Sequence, residues 1–158
     1  MNEYRLTPIG TVQSGEDGFA VVLNKQYASG LTALEGFSHI QVLWWFSHCD
    51  SDADRGTVTV QSPYRGGPEE LGVFATRSPM RPNPIGLSCV GITGIDHTEG
   101  ILHLDWIDAA DGTPVFDLKP YTPSADRVEE PEVPGWCAHW PKSVETSGEF
   151  DWESVFSY

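Results

Sequence analysis

Short runs of apolar residues, four to nine positions long, recur along this chain between clusters of Gly, Pro, Asn, Asp and Ser. This pattern predicts strands with little helix between them. Residues 4–12 and 19–23 read as two strands separated by the turn-rich stretch 14–18. Residues 26–34 suit a short helix that Gly36 ends. The run HIQVLWWF at 39–46 is rich in β-branched and aromatic residues, as a buried strand requires. Residues 57–61 alternate as a half-exposed strand should, and 71–76, 85–95, 101–106 and 115–118 supply further β segments. Stretches 96–100 and 108–112 serve as turns. The expected fold is mainly β: a single compact, barrel-like domain of antiparallel or mixed strands, with short helices and an extended C-terminal strap. The barrel domain is expected over residues 1–126. The acidic extension 127–158, with Pro131, Pro134 and Pro141, is expected to pack on that same domain, pinned by Trp136 and Trp140.

Composition narrows the setting. A chain of 158 residues with 39% hydrophobic and 11% aromatic content can bury a proper core in one domain. Its longest apolar stretch, near 42–46, falls far short of the roughly 20 residues that span a bilayer. The opening residues lack the basic and apolar regions of a signal peptide. Cys49, Cys89 and Cys137 are odd in number and widely separated, which suits a reducing compartment, so a cytoplasmic protein without membrane attachment is expected.

The formal net charge of −14 argues against a broad phosphate-binding surface. Five cations, Arg65, Arg77, Arg81, Lys119 and Arg127, nevertheless fall in the central and later chain, while acid gathers at 50–54 and in the tail. Two readings follow: acidic loops that keep the protein soluble, or positive potential retained for one pocket with an anionic ligand. Signatures of nucleotide-binding α/β folds, a zincin helix and a G-x-S-x-G elbow are absent, and the five histidines are scattered, so no metal site is expected.

Three segments carry the candidate chemistry. In GVFATRSPMRPNPIGLS (72–88), three prolines within six positions fix φ and push their predecessors away from helix, giving a stiff extended loop. That loop holds Arg77, Arg81 and Asn83 with little entropy left to lose on binding; the alternative is a rigid turn whose arginines pair with surface carboxylates. In DGTPVFDLKPY (111–121), Asp-Gly makes a tight turn, Pro114 and Pro120 bracket a strand, and Asp117, Lys119 and Tyr121 alternate onto one face. The alternative here is an edge strand made soluble by charge. In GLTALEGFSHIQVLWWFSH (30–48), His48 closes a predicted strand, a position more often structural than catalytic.

These three motifs resemble the TrmO-like (YaeB/VirR, TsaA-like) family of β-barrel methyltransferases over roughly residues 4–126. The resemblance implies S-adenosylmethionine as methyl donor, a homodimer with the cofactor near the subunit interface, and N6-methylation of modified adenosine beside the tRNA anticodon. It marks His48, Cys49, Arg77, Leu87, Gly112, Thr113, Pro114 and Val115 as cofactor neighbours, although family members often carry Gln where Cys49 stands. It also implies a Pro-Arg-Gln segment after the first strand, which the connection 12–19 lacks. On this reading Arg77 engages a polar end of the cofactor, and backbone groups of Leu87 and of 112–115 read its adenine. Asp111 and Tyr121 are the candidate catalytic proton acceptors or orienters, while Arg81, Asn83, Asp117 and Lys119 hold the acceptor. The partner is expected to be tRNA or a small-molecule acceptor. A methyltransferase of the same fold with a non-tRNA acceptor, or a non-catalytic S-adenosylmethionine-binding protein, is the alternative.

Overall fold

The computed structural model describes residues 4–157; residues 1–3 and 158, on which the ends of the predicted domains fall, lie outside the described residues. The chain divides into two compact units. One comprises the chain up to Cys49 together with Pro84–Arg127, and the other Asp50–Asn83 together with the chain from Val128 onward.

The first unit contains β1 (Gly10–Gly15), β2 (Gly18–Leu23), β3 (His39–Trp45), β6 (Ile85–Asp96), β7 (Ile101–Leu104) and β8 (Pro114–Pro120). They close a barrel in the order β1-β2-β7-β6-β3-β8, every neighbouring pair antiparallel. This is the mainly β, barrel-like architecture that the apolar runs predict. Alternation decides which side chains fill it: in β3, Ile40, Val42 and Trp44 are buried, while the residues between them face outward. Val12, Val21, Leu23, Val90, Leu102, Leu104 and Val115 join them, and Leu31, Ile107 and Ala109 plug the ends from connecting segments. Each fully buried aliphatic chain contributes about 1.5–3 kcal/mol relative to exposure.

Trp44 shows how closely this interior is fitted. It stands opposite Gly86 in register, and a Cβ on Gly86 would overlap the indole ring. The indole Nε1–H donates to Ser88 Oγ at 3.0 Å, so Gly86 and Ser88 form the inward face of β6 beneath this ring while Leu87 points out.

Several boundaries differ from the sequence expectation, each for a local reason. The first strand starts at Gly10 rather than residue 4, because Pro8 has no N–H for the ladder and Tyr4 and Leu6 are exposed. It runs on to Gly15, since Glu16 and Asp17 suffice as a two-residue hairpin turn before Gly18. The predicted helix is a 3-10 turn over Lys25–Leu31 with only Leu31 buried, too little apolar surface to hold a full α-helix. Pro114 and Pro120 fall inside β8 as its first and last residues, where a missing N–H is tolerated.

The second unit holds helix α1 (Asp52–Arg55), β4 (Thr59–Gln61), β5 (Glu70–Gly72) and helix α3 (Val144–Ser147); helix α2 (Pro123–Asp126) belongs to the first unit. β4 and β5 form an antiparallel hairpin. The expected strand 71–76 stops at Gly72 and turns into a 3-10 segment, Val73–Ala75, braced by Thr76 Oγ1–H donating to the Val73 carbonyl at 2.9 Å.

Candidate functional site

Strand register brings three distant stretches of sequence together at one end of the barrel. Trp44 is paired with Gly86 on one side and with Val115 on the other. The turn that follows β3 carries His48 and Cys49 and is fixed by Phe46 N–H donating to the Pro84 carbonyl (2.8 Å) and Cys49 N–H to the Phe46 carbonyl (3.0 Å). His48 is exposed and Cys49 half-buried. Leu87, one residue beyond Gly86, faces outward opposite Leu43 with 44% of its surface accessible.

The turn 111–113 reaches the same end of the barrel. Gly112 adopts φ 76°, a conformation that disfavours any side chain. Its N–H donates to the Val12 carbonyl (2.9 Å), Thr113 N–H donates to the Ala110 carbonyl (3.2 Å), and the Thr113 carbonyl accepts from Val12 N–H (2.8 Å). The Val115 carbonyl accepts from Ile9 N–H at 2.8 Å. These groups therefore brace the turn against β1. Thr113 and Val115 are buried, and Asp111 Oδ1 accepts from Ser14 N–H at 3.0 Å, which anchors the carboxylate at the hairpin side.

Along β8, a bulge falls where Leu43 pairs with Asp117 but Trp44 pairs with Val115, leaving Phe116 as the extra residue. Phe116 packs edge-on against Trp45 at 5.8 Å. Beyond the bulge, Asp117 and Lys119 make an ion pair at 2.6 Å, both about half-exposed, which at such exposure contributes at most about 1 kcal/mol. Tyr121 lies past the far end of β8, its N–H donating to the His39 carbonyl at 3.0 Å and its ring edge-on to that of His39 at 6.4 Å. Pro114 and Pro120 are separated by about 20 Å at ~3.3 Å per strand residue. Asp111 and Tyr121 thus occupy opposite ends of the strand.

Arg77, Arg81 and Asn83 belong to the second unit. Arg77 and Asn83 are exposed. The partly buried Arg81 directs Nη2–H to the carbonyls of Val73 (2.9 Å) and Thr76 (3.2 Å), so its guanidinium staples the 73–76 turn.

Sequence reasoning missed Ser88 and Asp105. The Gly86-x-Ser88 alternation opposite a tryptophan is a signal that would have found Ser88. Asp105 accepts from Gly91 N–H at 2.8 Å and carries no local signature. A shallow recess lined by Gln13, Asp17, Phe19 and His103 lies beside the β1–β2 hairpin, and none of the predicted site residues lines it. Among the described residues no group of three His, Cys, Asp or Glu side chains is placed to hold a metal, and no helix is long and apolar enough to cross a membrane.

A closed antiparallel barrel whose Gly-Thr-Pro-Val turn, Ile-Gly-Leu-Ser strand and post-strand histidine converge at one end is unlike the doubly wound nucleotide-binding folds. The family described as the tRNA-methyltransferase O N-terminal domain matches residues 2–127, and the chain belongs to this family. It is 43% identical over 112 residues to an S-adenosyl-L-methionine-binding protein of Archaeoglobus fulgidus, covering 71% of this chain and 75% of that protein. It is 39% identical over 123 residues to the tRNA (adenine(37)-N6)-methyltransferase of Escherichia coli, covering 77% of this chain and 52% of that enzyme. A crystal structure of TrmO from Pseudomonas aeruginosa superposes with a TM-score of 0.64 at 32% identity, over 83% of this chain and 61% of that one. The chain thus spans about half the length of the Escherichia coli methyltransferase it resembles.

Proposed function

We propose that this protein is an S-adenosylmethionine-dependent methyltransferase that transfers a methyl group to N6 of modified adenosine beside the anticodon of tRNA. The observation that carries the reading is the convergence at Trp44 of three segments, 46–49, 86–87 and 112–115, all within the family match over residues 2–127. His48, Cys49, Leu87, Gly112, Thr113, Pro114 and Val115 are the proposed cofactor neighbours from the barrel. Because the Gly112 and Thr113 N–H groups already donate to the Val12 and Ala110 carbonyls, these residues are proposed to shape the wall of the site rather than to supply those two donors. Arg77 is the proposed partner of a polar end of the cofactor.

When bound, S-adenosylmethionine would supply an electrophilic methyl group for in-line displacement by the acceptor nitrogen, with the sulfonium sulfur as leaving group and the nitrogen's proton passing to a residue of the chain. Positioning and electrostatics supply most of such catalysis. Asp111, anchored by Ser14 N–H, is the proposed proton acceptor, and Asn83, Asp117 and Lys119 are proposed to orient the acceptor together with Tyr121. One barrel cannot bring Asp111 and Tyr121 to the same atom across a strand of about 20 Å. The resemblance to the TrmO-like family also supports a homodimer with the cofactor near the subunit interface. A cytoplasmic location accords with a tRNA substrate.

The decisive experiment incubates the protein with labelled S-adenosylmethionine and total tRNA that carries the modified adenosine unmethylated, followed by nucleoside analysis. Label in an N6-methylated adenosine derivative supports the reading. Cofactor binding with no label in tRNA would transfer the assignment to a small acceptor. That second reading is favoured by one observation: Arg81 and Lys119, two of the cations nominated for anion steering, already engage backbone carbonyls and Asp117.

A further inference from the structure

The second unit is discontinuous, and its two halves are unequal in what they bring to it. Within Asp50–Asn83, Leu71 and Val73 are the buried aliphatic side chains, far too little core for a segment of this length to hold a fold by itself. Among the described residues, the remaining buried apolar groups of the unit, Cys137 and Val155, come from the C-terminal stretch. That stretch lies beyond residue 127, where the family match ends.

The contacts between the halves centre on Tyr64. Its ring stacks on Trp136 at 5.3 Å and 18° and meets Trp140 edge-on at 5.0 Å, with Phe156 tilted against it at 5.8 Å. Trp136, Trp140 and Trp152 continue the cluster through edge-on contacts at 5.4 and 5.5 Å. Backbone pairing flanks the rings: Tyr64 bridges Phe156 in antiparallel fashion, Arg65 N–H donates to the Val155 carbonyl at 2.8 Å, and Ser157 N–H donates to the Pro63 carbonyl at 3.2 Å. The clasped loop joins β4 to β5, and β5 leads directly into the 73–83 segment that carries Arg77.

We propose that the C-terminal stretch from Val128 is a built-in folding partner for Asp50–Asn83, so that the order of the loop bearing Arg77 is conditional on docking of this strap around Tyr64. The strap and the β4–β5 hairpin then form one cooperative unit that opens separately from the barrel. Aromatic pairs add stability beyond their area burial, which is why a cluster of this size holds a hairpin whose own core is little more than Leu71 and Val73. The unit belongs to the class of subglobal openings that hydrogen exchange resolves.

Native-state amide exchange on the full chain tests this without any substitution. The expected result is that amides of Arg65, Val73, Val155 and Ser157 share one opening, weaker than that of Val42 and Val90 in the barrel. Protection of Arg65 and Val73 that persists while Val155 and Ser157 exchange freely would overturn the proposal. Tyr64→Ala should speed exchange in both halves about 100-fold and leave the barrel unchanged, whereas Tyr64→Phe, which keeps the ring stack, should recover most of the lost protection. Equal exchange in wild type and Tyr64→Ala would likewise overturn it. Calorimetry with S-adenosylmethionine adds an arm that rests on the assignment of Arg77 made above: affinity should fall in Tyr64→Ala and recover in Tyr64→Phe. Raised exchange with unchanged affinity would keep the folding partnership and remove Arg77 from the cofactor site.

Discussion

Gly86→Ala isolates the fit between β3 and β6 at the end of the barrel where the proposed cofactor segments meet. The new Cβ would lie 2.7 Å from Cδ2 and Cζ2 of Trp44, well inside van der Waals contact, and the indole is held from moving by its bond to Ser88. Overpacking of this kind costs about 1–3 kcal/mol, and a displaced ring also loses the 3.0 Å bond to Ser88 Oγ, worth about 1 kcal/mol. The sum, about 2–4 kcal/mol, corresponds to a fall in Tm of about 5–15 °C for a chain of this size. Urea and thermal unfolding followed by far-UV circular dichroism would measure it. Gly30→Ala is the matched control, because a Cβ there meets nothing within 4 Å; it should be neutral or slightly stabilising. A Gly86→Ala loss no larger than that of the control would refute the claim that Trp44 and Gly86 are mutually fitted.

Arg77→Ala should weaken S-adenosylmethionine binding about tenfold by calorimetry, a discounted value for a charged hydrogen bond at an exposed residue, and unchanged affinity would remove Arg77 from the site. Glu35 is held below its ordinary carboxylate pKa, chiefly by its own backbone N–H and then by His97. A depressed carboxylate stabilises the fold above its unfolded pKa and loses that contribution as pH falls through the folded value. Glu35→Gln should therefore lower Tm slightly near neutrality, meet the wild-type Tm below the folded pKa, and so flatten the acid limb of Tm against pH. The net charge of −14 means that Tm should rise as salt screens self-repulsion, and a Tm independent of salt would show that the acidic groups are already mutually compensated. Asp111→Asn should leave cofactor affinity intact while lowering kcat; loss of affinity instead would give Asp111 a binding role.

The strands legible in the sequence are those where the pattern is dense. Residues 39–46 and 85–95 appear almost unchanged as β3 and β6, because β-branched and aromatic residues at period two leave one way to bury a face. The start of β1 was not legible: Tyr4 and Leu6 look like core residues until the missing N–H of Pro8 is weighed against the ladder they would need. Nor was the alliance of the tail with Tyr64, since stacked rings leave no periodic trace. Trp136 and Trp140 could be nominated as anchors, but the ring they would meet could not.

For the candidate site, legibility follows the same division between backbone and side chain. Gly112 and Pro114 declare their roles through backbone constraint, and the turn and strand they demand are present. The arginines declare only a charge. Arg77 and Arg81 look equivalent in the motif, four residues apart on a proline-braced loop, yet Arg81 binds two carbonyls of its own turn. Direction is the missing quantity, because a guanidinium satisfies backbone carbonyls as readily as a ligand carboxylate. The same reasoning separates Asp111 from Tyr121. They belong to one motif only eleven residues long, but an extended strand converts that short spacing into the length of the barrel wall. A single copy therefore offers Asp111 or Tyr121 to a given acceptor atom, not both, which is why the Asp111→Asn measurement probes one end of the barrel only.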